Sequence, residues 1–347
     1  VGQGSGARDQ REGAAWTSRQ RLKNDLIYLL IRVTLALVLR LPRRLLVHLG
    51  RGLGALAHRV LPRERELARR RLAAGLGARV ATAQVRAAFL RTGETLADTI
   101  ALLDPREPAS RTLCLDPASR RVFADALAEG RGVVYVSAHL GSWERMAALL
   151  AEEGFPVATV ARESYDARLT ALYERLRAPR RVRSLYRGRP GAAASILREL
   201  RAGRAVGFLV DLPARVRSAP VPLFGAIADV PSGAARIALR SGAAVLVGTT
   251  SPPLPGLPDA SRGAPASPEG ARARVTIERV FLDDLPAGSA GELLLVARLA
   301  ELLTLRIAAQ PEAWLGLFAP SRARRHAKNR DPSRGSARHL RYLKETR

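Results

Sequence analysis

Apolar and polar positions along the chain follow three successive rhythms. Between residues 24 and 46 leucine, isoleucine and valine dominate, with arginines set among them. From 61 to about 110, the segments RERELARRRLAAGLG and ATAQVRAAFLRTGETLADTIALL repeat apolar positions at three- and four-residue spacing, the period of helices with one buried face. From 132 onward, short apolar runs (GVVYVSA, FPVATVA, RVRSLY, AVGFLVD, AAVLVGTT, RVTIERVFL) alternate with helical stretches at 142–153, 165–177, 190–202 and 232–241. Strands alternating with helices predict an α/β fold, a central mixed sheet flanked by helices. Gly154, Gly203 and Gly242 stand where helix C-caps are expected. A final helix is predicted over 290–309, running into PEAWLGLF.

The punctuation between these elements divides the chain. Residues 1–20 are polar and glycine-rich and read as a flexible lead-in. A helical, membrane-associating segment is expected over 21–60 and the α/β domain over 61–320. Within that domain, 251–271 holds six prolines without periodicity and is expected to be an exposed loop. Residues 321–347 carry ten Lys or Arg against two acidic residues and read as a basic tail. No internal repeat is evident.

The N-terminal apolar run, DLIYLLIRVTLALVLRLPRRLL, is broken by Arg32, whereas a spanning helix needs about 20 mostly apolar residues. It arrives late and lacks a small-residue cleavage site, so it does not read as a secretory signal. On one continuous helix Asp25, Arg32 and Arg43 fall within about 20° of one another, with Leu30, Leu37 and Leu41 opposite. This pattern fits a helix lying in a membrane interface, with Arg40, Arg43 and Arg44 among anionic headgroups. The alternatives are an amphipathic helix packed on the domain, and a tilted span in which Arg32 pairs with Asp25. Either membrane placement puts the arginine-rich side toward the cytoplasm.

Charge narrows the partners. The formal net charge is +26, carried almost wholly by arginine, since only Lys23, Lys328 and Lys344 are lysines. Such a field favours an anionic membrane surface, an acidic carrier protein or nucleic acid. Aromatic content of 5% and the absence of a motif with interleaved aromatics argue against nucleic acid, and none is expected as a partner. Cys114 is the only cysteine, which excludes an internal disulfide and a cysteine-based zinc cluster and suits a reducing compartment. No metal site or cofactor is expected.

One of only five histidines, His139, ends the apolar run 133–138. It therefore sits at the C-terminal end of a predicted buried strand, the edge at which open α/β sheets bind ligands. Glu144 follows within the first turns of the next helix. With a turn at Leu140–Gly141 between them, the carboxylate is expected to fold back toward the imidazole, fixing its tautomer and favouring the imidazolium. No Gly-x-Ser-x-Gly elbow occurs, and Ser142 is too close in sequence to be an obvious nucleophile. A base without a protein nucleophile points to direct transfer onto an activated hydroxyl. The plainer reading is a strand-capping His and a Glu stabilising a helix N-terminus.

GRGVVYVSAHLGSWERMAALL resembles the His-x4-Glu signature of the lipid A biosynthesis acyltransferase family, the late lauroyl- and myristoyl-type acyltransferases. The likeness extends in order over about residues 20–318. It takes in LGRGLGALAHRVLPRERELARRRLAAGLG, VAR at 160–162, ILRELRAGRAVGFLVD at 196–211, VPLFGAIADVPSGAARIALRSGAAVL at 221–246 and RIAAQPEAW at 306–314. The resemblance implies a fold related to glycerolipid acyltransferases at the cytoplasmic face of the inner membrane. It implies transfer of a fatty acyl group from an acyl carrier protein or CoA thioester, a co-substrate rather than a cofactor, to a hydroxyl of a membrane lipid acceptor. His139 becomes the base and Glu144 its partner or an acceptor-orienting group. Arg162 matches an arginine of the family's next strand, suited to an anionic donor or acceptor group, and Asp211 the acidic residue ending a later strand. Ser232 and Gly233 open a helix whose backbone donors suit phosphate or an oxyanion. The chain departs from the family at Ser142, commonly Asn, at Leu212, commonly Gln, and in WLGLFAPSRARR, which replaces a Trp-x-Trp…Arg-Trp ending. Acyl transfer is thus better supported than lipid A as the acceptor. The alternatives are another glycolipid or aminolipid acceptor, or a non-enzymatic basic protein on membrane or nucleic acid.

Overall fold

The computed structural model describes residues 16–77, 80–252 and 272–319. The basic tail, residues 1–15 and the proline-rich stretch beyond Pro252 lie outside them. Four helices come first: α1 (Ser18–Val38), α2 (Arg43–Val60), α3 (Pro62–Leu76) and α4 (Thr82–Ala101). Then follow β1 (Leu113–Leu115), α5 (Pro117–Ala128), β2 (Val133–Ser137), α6 (Trp143–Glu152), β3 (Val157–Arg162), α7 (Ala167–Arg177), β4 (Arg183–Arg187), α8 (Ala192–Arg201) and β5 (Ala205–Leu209). The chain continues through β6 (Ser218–Leu223), β7 (Ala226–Pro231), α9 (Gly233–Ser241), β8 (Ala244–Ser251), β9 (Ala273–Val280) and α10 (Ser289–Ala309).

Seven strands form one mixed sheet in the order β1-β9-β8-β2-β5-β3-β4. β8, β2, β5, β3 and β4 run parallel, and β9 turns antiparallel against β8. Period-two alternation buries both faces of the central strands. Val134, Val136, Val206, Phe208, Val245 and Val247 enter one core with α8, α9 and α10. Val133, Tyr135, Ala205, Ala244 and Leu246 enter the other, with Phe123 of α5 and Met146 and Leu149 of α6. All six expected strands are present, and the doubly buried β2 and β8 read as continuous apolar runs. β1, α5 and the separate β6–β7 hairpin are additions. Pro220, Pro222 and Pro231 disguise that hairpin in the sequence; a two-stranded ribbon tolerates them where a central strand would not.

Two N-terminal expectations are corrected. α1 begins at Ser18, inside the stretch read as flexible, because Thr17 and Gln20 exchange side-chain and backbone hydrogen bonds in a capping box. Residues 24–46 are not one helix: α1 ends at Val38 and α2 starts after Pro42, so Arg43 leaves the stripe shared by Asp25 and Arg32. Asp25 pairs with Arg168 of α7 at 2.7 Å, not with Arg32. Among the described residues no helix is long and apolar enough to cross a membrane. α2 lies against α4 at very close range, since a Cβ on Gly50 or Gly54 would stand within 2.4 Å of the α4 backbone.

A buried polar knot ties this layer to the sheet. Arg145, fully buried on α6, donates to Asp98 of α4 at 2.7 Å and to the Pro108 carbonyl at 2.9 Å. Arg43 of α2 donates to the other Asp98 oxygen at 2.7 Å. Burial alone would raise the Asp98 carboxyl; the Arg145 charge and the hydrogen bonds from Arg145 and Arg43 outweigh it and hold the group below the usual carboxylate range. Stability that depends on the carboxylate is therefore complete above about pH 4 and is lost as pH falls through the lowered folded value. Asp98→Asn leaves a buried guanidinium with its main countercharge gone, at an expected cost of about 3 kcal/mol. Urea midpoints at pH 7 should show this loss, with the variant and wild type converging in acid; a difference under about 1 kcal/mol at neutral pH contradicts it.

Candidate active site

The parallel strands deliver their C-terminal ends to one edge of the sheet, and the candidate residues follow directly from them. His139 comes two residues after β2, Asp211 two residues after β5, while Arg162 and Arg187 close β3 and β4. His139 Nδ1 lies 2.9 Å from Asp211 Oδ1. Asp211 Oδ2 accepts the His139 backbone N–H at 3.0 Å and the Trp314 indole N–H at 2.8 Å. Burial alone would raise the Asp211 carboxyl, but the His139 charge and these hydrogen bonds carry it below the ordinary range. An ionised carboxylate only accepts, so Nδ1 carries the proton and Nε2 of the neutral ring keeps its lone pair.

The backbone around the histidine is clamped from the C-terminal side. The His139 carbonyl accepts the Leu315 N–H at 2.9 Å, the Gly141 N–H donates to the Ala313 carbonyl at 3.0 Å, and Leu140 bridges Trp314. Thr250 Oγ1 donates to the Leu140 carbonyl at 3.0 Å. Gly141 has φ +60°, and a Cβ there would stand 2.3 Å from Thr250 Oγ1, so the turn requires glycine on both counts. The Trp143 ring meets the imidazole edge-on, with centroids 4.9 Å apart.

Glu144 does not fold back onto His139. Arg177 of α7 takes both its oxygens, at 2.9 and 2.5 Å, in a buried bidentate pair. Helix α6 begins at Trp143, which fixes Glu144 in its first turn and aims it across to α7. Desolvation would lower the Arg177 guanidinium, but the Glu144 charge and hydrogen bonds outweigh it and raise it. The imidazole's carboxylate is therefore Asp211, a contact the sequence spacing concealed.

His139, Glu144, Arg162 and Gly233 line one cavity of about 870 Å³. Its walls are largely apolar, with Val160, Ile196, Phe208, Val210, Leu212 and Ile237 among them. Asp211 stands behind His139. Ser232 turns away, its N–H and hydroxyl both directed at the Arg217 carbonyl, and it makes no side-chain cap for α9. Of the departures from the family pattern, Leu212 lines this cavity and Ser142 a smaller one of about 210 Å³ beyond the His139 loop. Among the described residues no group of three or more His, Cys, Asp or Glu comes together as a metal site.

Sequence reasoning assigned no role to Trp314, Arg177 or Arg187. Trp314 ends the RIAAQPEAW stretch of the resemblance, and a tryptophan needs a partner for its indole N–H once buried. Nothing distinguished the two arginines among so many.

An ordered His-Asp pair at a strand-end cavity with apolar walls is what acyl transfer to a hydroxyl asks of a protein. No curated protein matches the chain. The family model described as bacterial lipid A biosynthesis acyltransferase matches residues 16–250, which include His139, Glu144, Arg162 and Asp211. The chain belongs to that family of acyltransferases.

Proposed function

We propose that the protein moves a fatty acyl group from an acyl carrier protein or CoA thioester to a hydroxyl of a membrane lipid, with a lipid A precursor as the acceptor. The observation that carries this reading is the His139–Asp211 pair opening onto an apolar cavity large enough for an acyl chain. Nε2 of His139 takes the acceptor hydroxyl proton as the oxygen attacks the thioester carbonyl; the carbon–sulfur bond breaks, and the imidazolium returns the proton to the departing thiolate. Asp211 holds the tautomer and stabilises the imidazolium between those two transfers. The first-turn N–H groups of α9, beginning at Gly233, border the cavity and suit the negative oxygen of the tetrahedral intermediate. Glu144 serves as a positioning residue, neutralising Arg177 in the cavity wall. The test is incubation of the purified protein with a lauroyl or myristoyl thioester and a lipid acceptor. Mass spectrometry should find the lipid heavier by one acyl group and the new bond cleaved by hydroxylamine as an ester; an unmodified lipid would refute the reading.

The family is membrane-associated in general, and we place the protein peripherally on the cytoplasmic face of the inner membrane. Support comes from α2, whose Leu45, Leu49, Leu53, Leu56 and Val60 form an exposed stripe alongside the face packed on α4. On α1, Leu22, Leu26, Leu30, Val33 and Leu37 are exposed as well. An exposed leucine surface beside Arg40, Arg44 and Arg59 suits anionic lipid. Leu49→Gln, Leu53→Gln and Leu56→Gln together should release the protein from anionic vesicles, because each inserted leucine is worth roughly 1–2 kcal/mol. Flotation measures this. Undiminished flotation of a normally melting triple variant would remove the stripe from the account.

A further inference from the structure

We propose that Arg162 and Arg187 form a clamp for a phosphate group of the substrate at the mouth of the cavity, a proposal that rests on the acyltransferase reading above. The two are register partners on the parallel strands β3 and β4. In-register residues of neighbouring parallel strands lie about 5 Å apart and project to the same face, so two guanidinium stems leave the sheet edge side by side. Both residues line the cavity that holds His139.

Like charges brought together at a sheet edge need a counter-charge, and the described residues supply none. Every nearby carboxylate is already engaged: Glu163 by Arg189, Asp166 by Arg168, Glu144 by Arg177, and Glu174 by the Tyr186 hydroxyl. Among the described residues neither Arg162 nor Arg187 makes an ion pair or side-chain hydrogen bond. Arg187 is half-buried, and its burial and then the charge of Arg162 lower its guanidinium. A planar, multi-donor fork fits phosphate oxygens better than a point charge does. Two substrates bring such a group to a thioester-dependent acyl transfer. One is a phosphorylated lipid acceptor; the other is the donor, through the phosphate of its phosphopantetheine arm.

The test compares KM ratios. In one arm the acceptor is a lipid phosphomonoester, set against the same lipid after phosphatase treatment. In the other, the donor is S-lauroyl-4′-phosphopantetheine, set against S-lauroyl-pantetheine. Wild-type enzyme should prefer the phosphorylated member in one arm, which identifies the source, by about 10- to 100-fold, as expected for charge-assisted hydrogen bonds. Arg187→Gln should bring that ratio close to one, and Arg187→Lys, keeping the charge without the fork, should fall between. Thermal melts exclude unfolding. Isothermal titration with inorganic pyrophosphate separates this proposal from the acyl-transfer reading: wild type binds it and Arg187→Gln binds at least about 10-fold more weakly. If pyrophosphate binding behaves so while no thioester is consumed, the clamp stands and the acyl-transfer reading falls. No preference in either arm with wild type, or a ratio unmoved by Arg187→Gln, overturns the clamp.

Discussion

His139→Ala should abolish nearly all turnover while leaving the fold intact. The imidazole is part exposed at the cavity and contributes little to either apolar core, so its truncation removes chemistry rather than packing. The Nε2 lone pair is the proton acceptor for the lipid hydroxyl, and a positioned base contributes roughly 10²–10⁴-fold. The steady-state rate of ester formation should fall within that range, with the thermal midpoint of the variant close to wild type. The backbone contacts of residue 139, to Leu315 and to Asp211, survive the substitution and keep the loop in place. A loss of only a few-fold would place the base elsewhere.

Asp211→Asn should cost nearly as much, for a different reason. A buried carboxylate fixes which ring nitrogen is protonated and balances the charge the ring acquires; an amide does neither. The expected fall in kcat is on the order of 10³-fold, with KM for thioester much less affected, because Asp211 stands behind the histidine and touches no substrate. Trp314→Phe removes one of the donors to the same carboxylate but keeps the ring against Phe224, whose centroid is 5.3 Å away, so its loss should be smaller. If Asp211→Asn keeps most of its activity while Glu144→Gln does not, the partner assigned to the histidine is wrong.

The contrast between these two carboxylates shows how far sequence reasoning reached. His139 was legible because a strand buried on both faces leaves a continuous apolar run, and the end of such a run in an α/β pattern is a place where ligands bind. The histidine's partner was not legible, because nearness in sequence favoured Glu144, five positions away, whereas Asp211 lies 72 positions away and meets His139 only through the β2–β5 pairing. Trp314 is 103 positions from Asp211 and arrives through the short pairing of Leu140 with the C-terminal segment, a contact with no periodic signal. The same division holds for the fold. Central strands and crossover helices declare themselves by burial, whereas three-residue β1 and the proline-bearing β6–β7 hairpin do not. The kink before Pro42 was visible as a proline, yet the leucines on both sides read through it as one amphipathic helix.

Direct transfer, with His139 as base and no protein nucleophile, is tested most directly by following thiol release under single-turnover conditions while weighing the intact protein. Thiol should appear only when the hydroxyl-bearing lipid is present, one equivalent for each ester formed, with the protein mass unchanged throughout. A burst of thiol without acceptor, accompanied by a protein heavier by one acyl group, would contradict it.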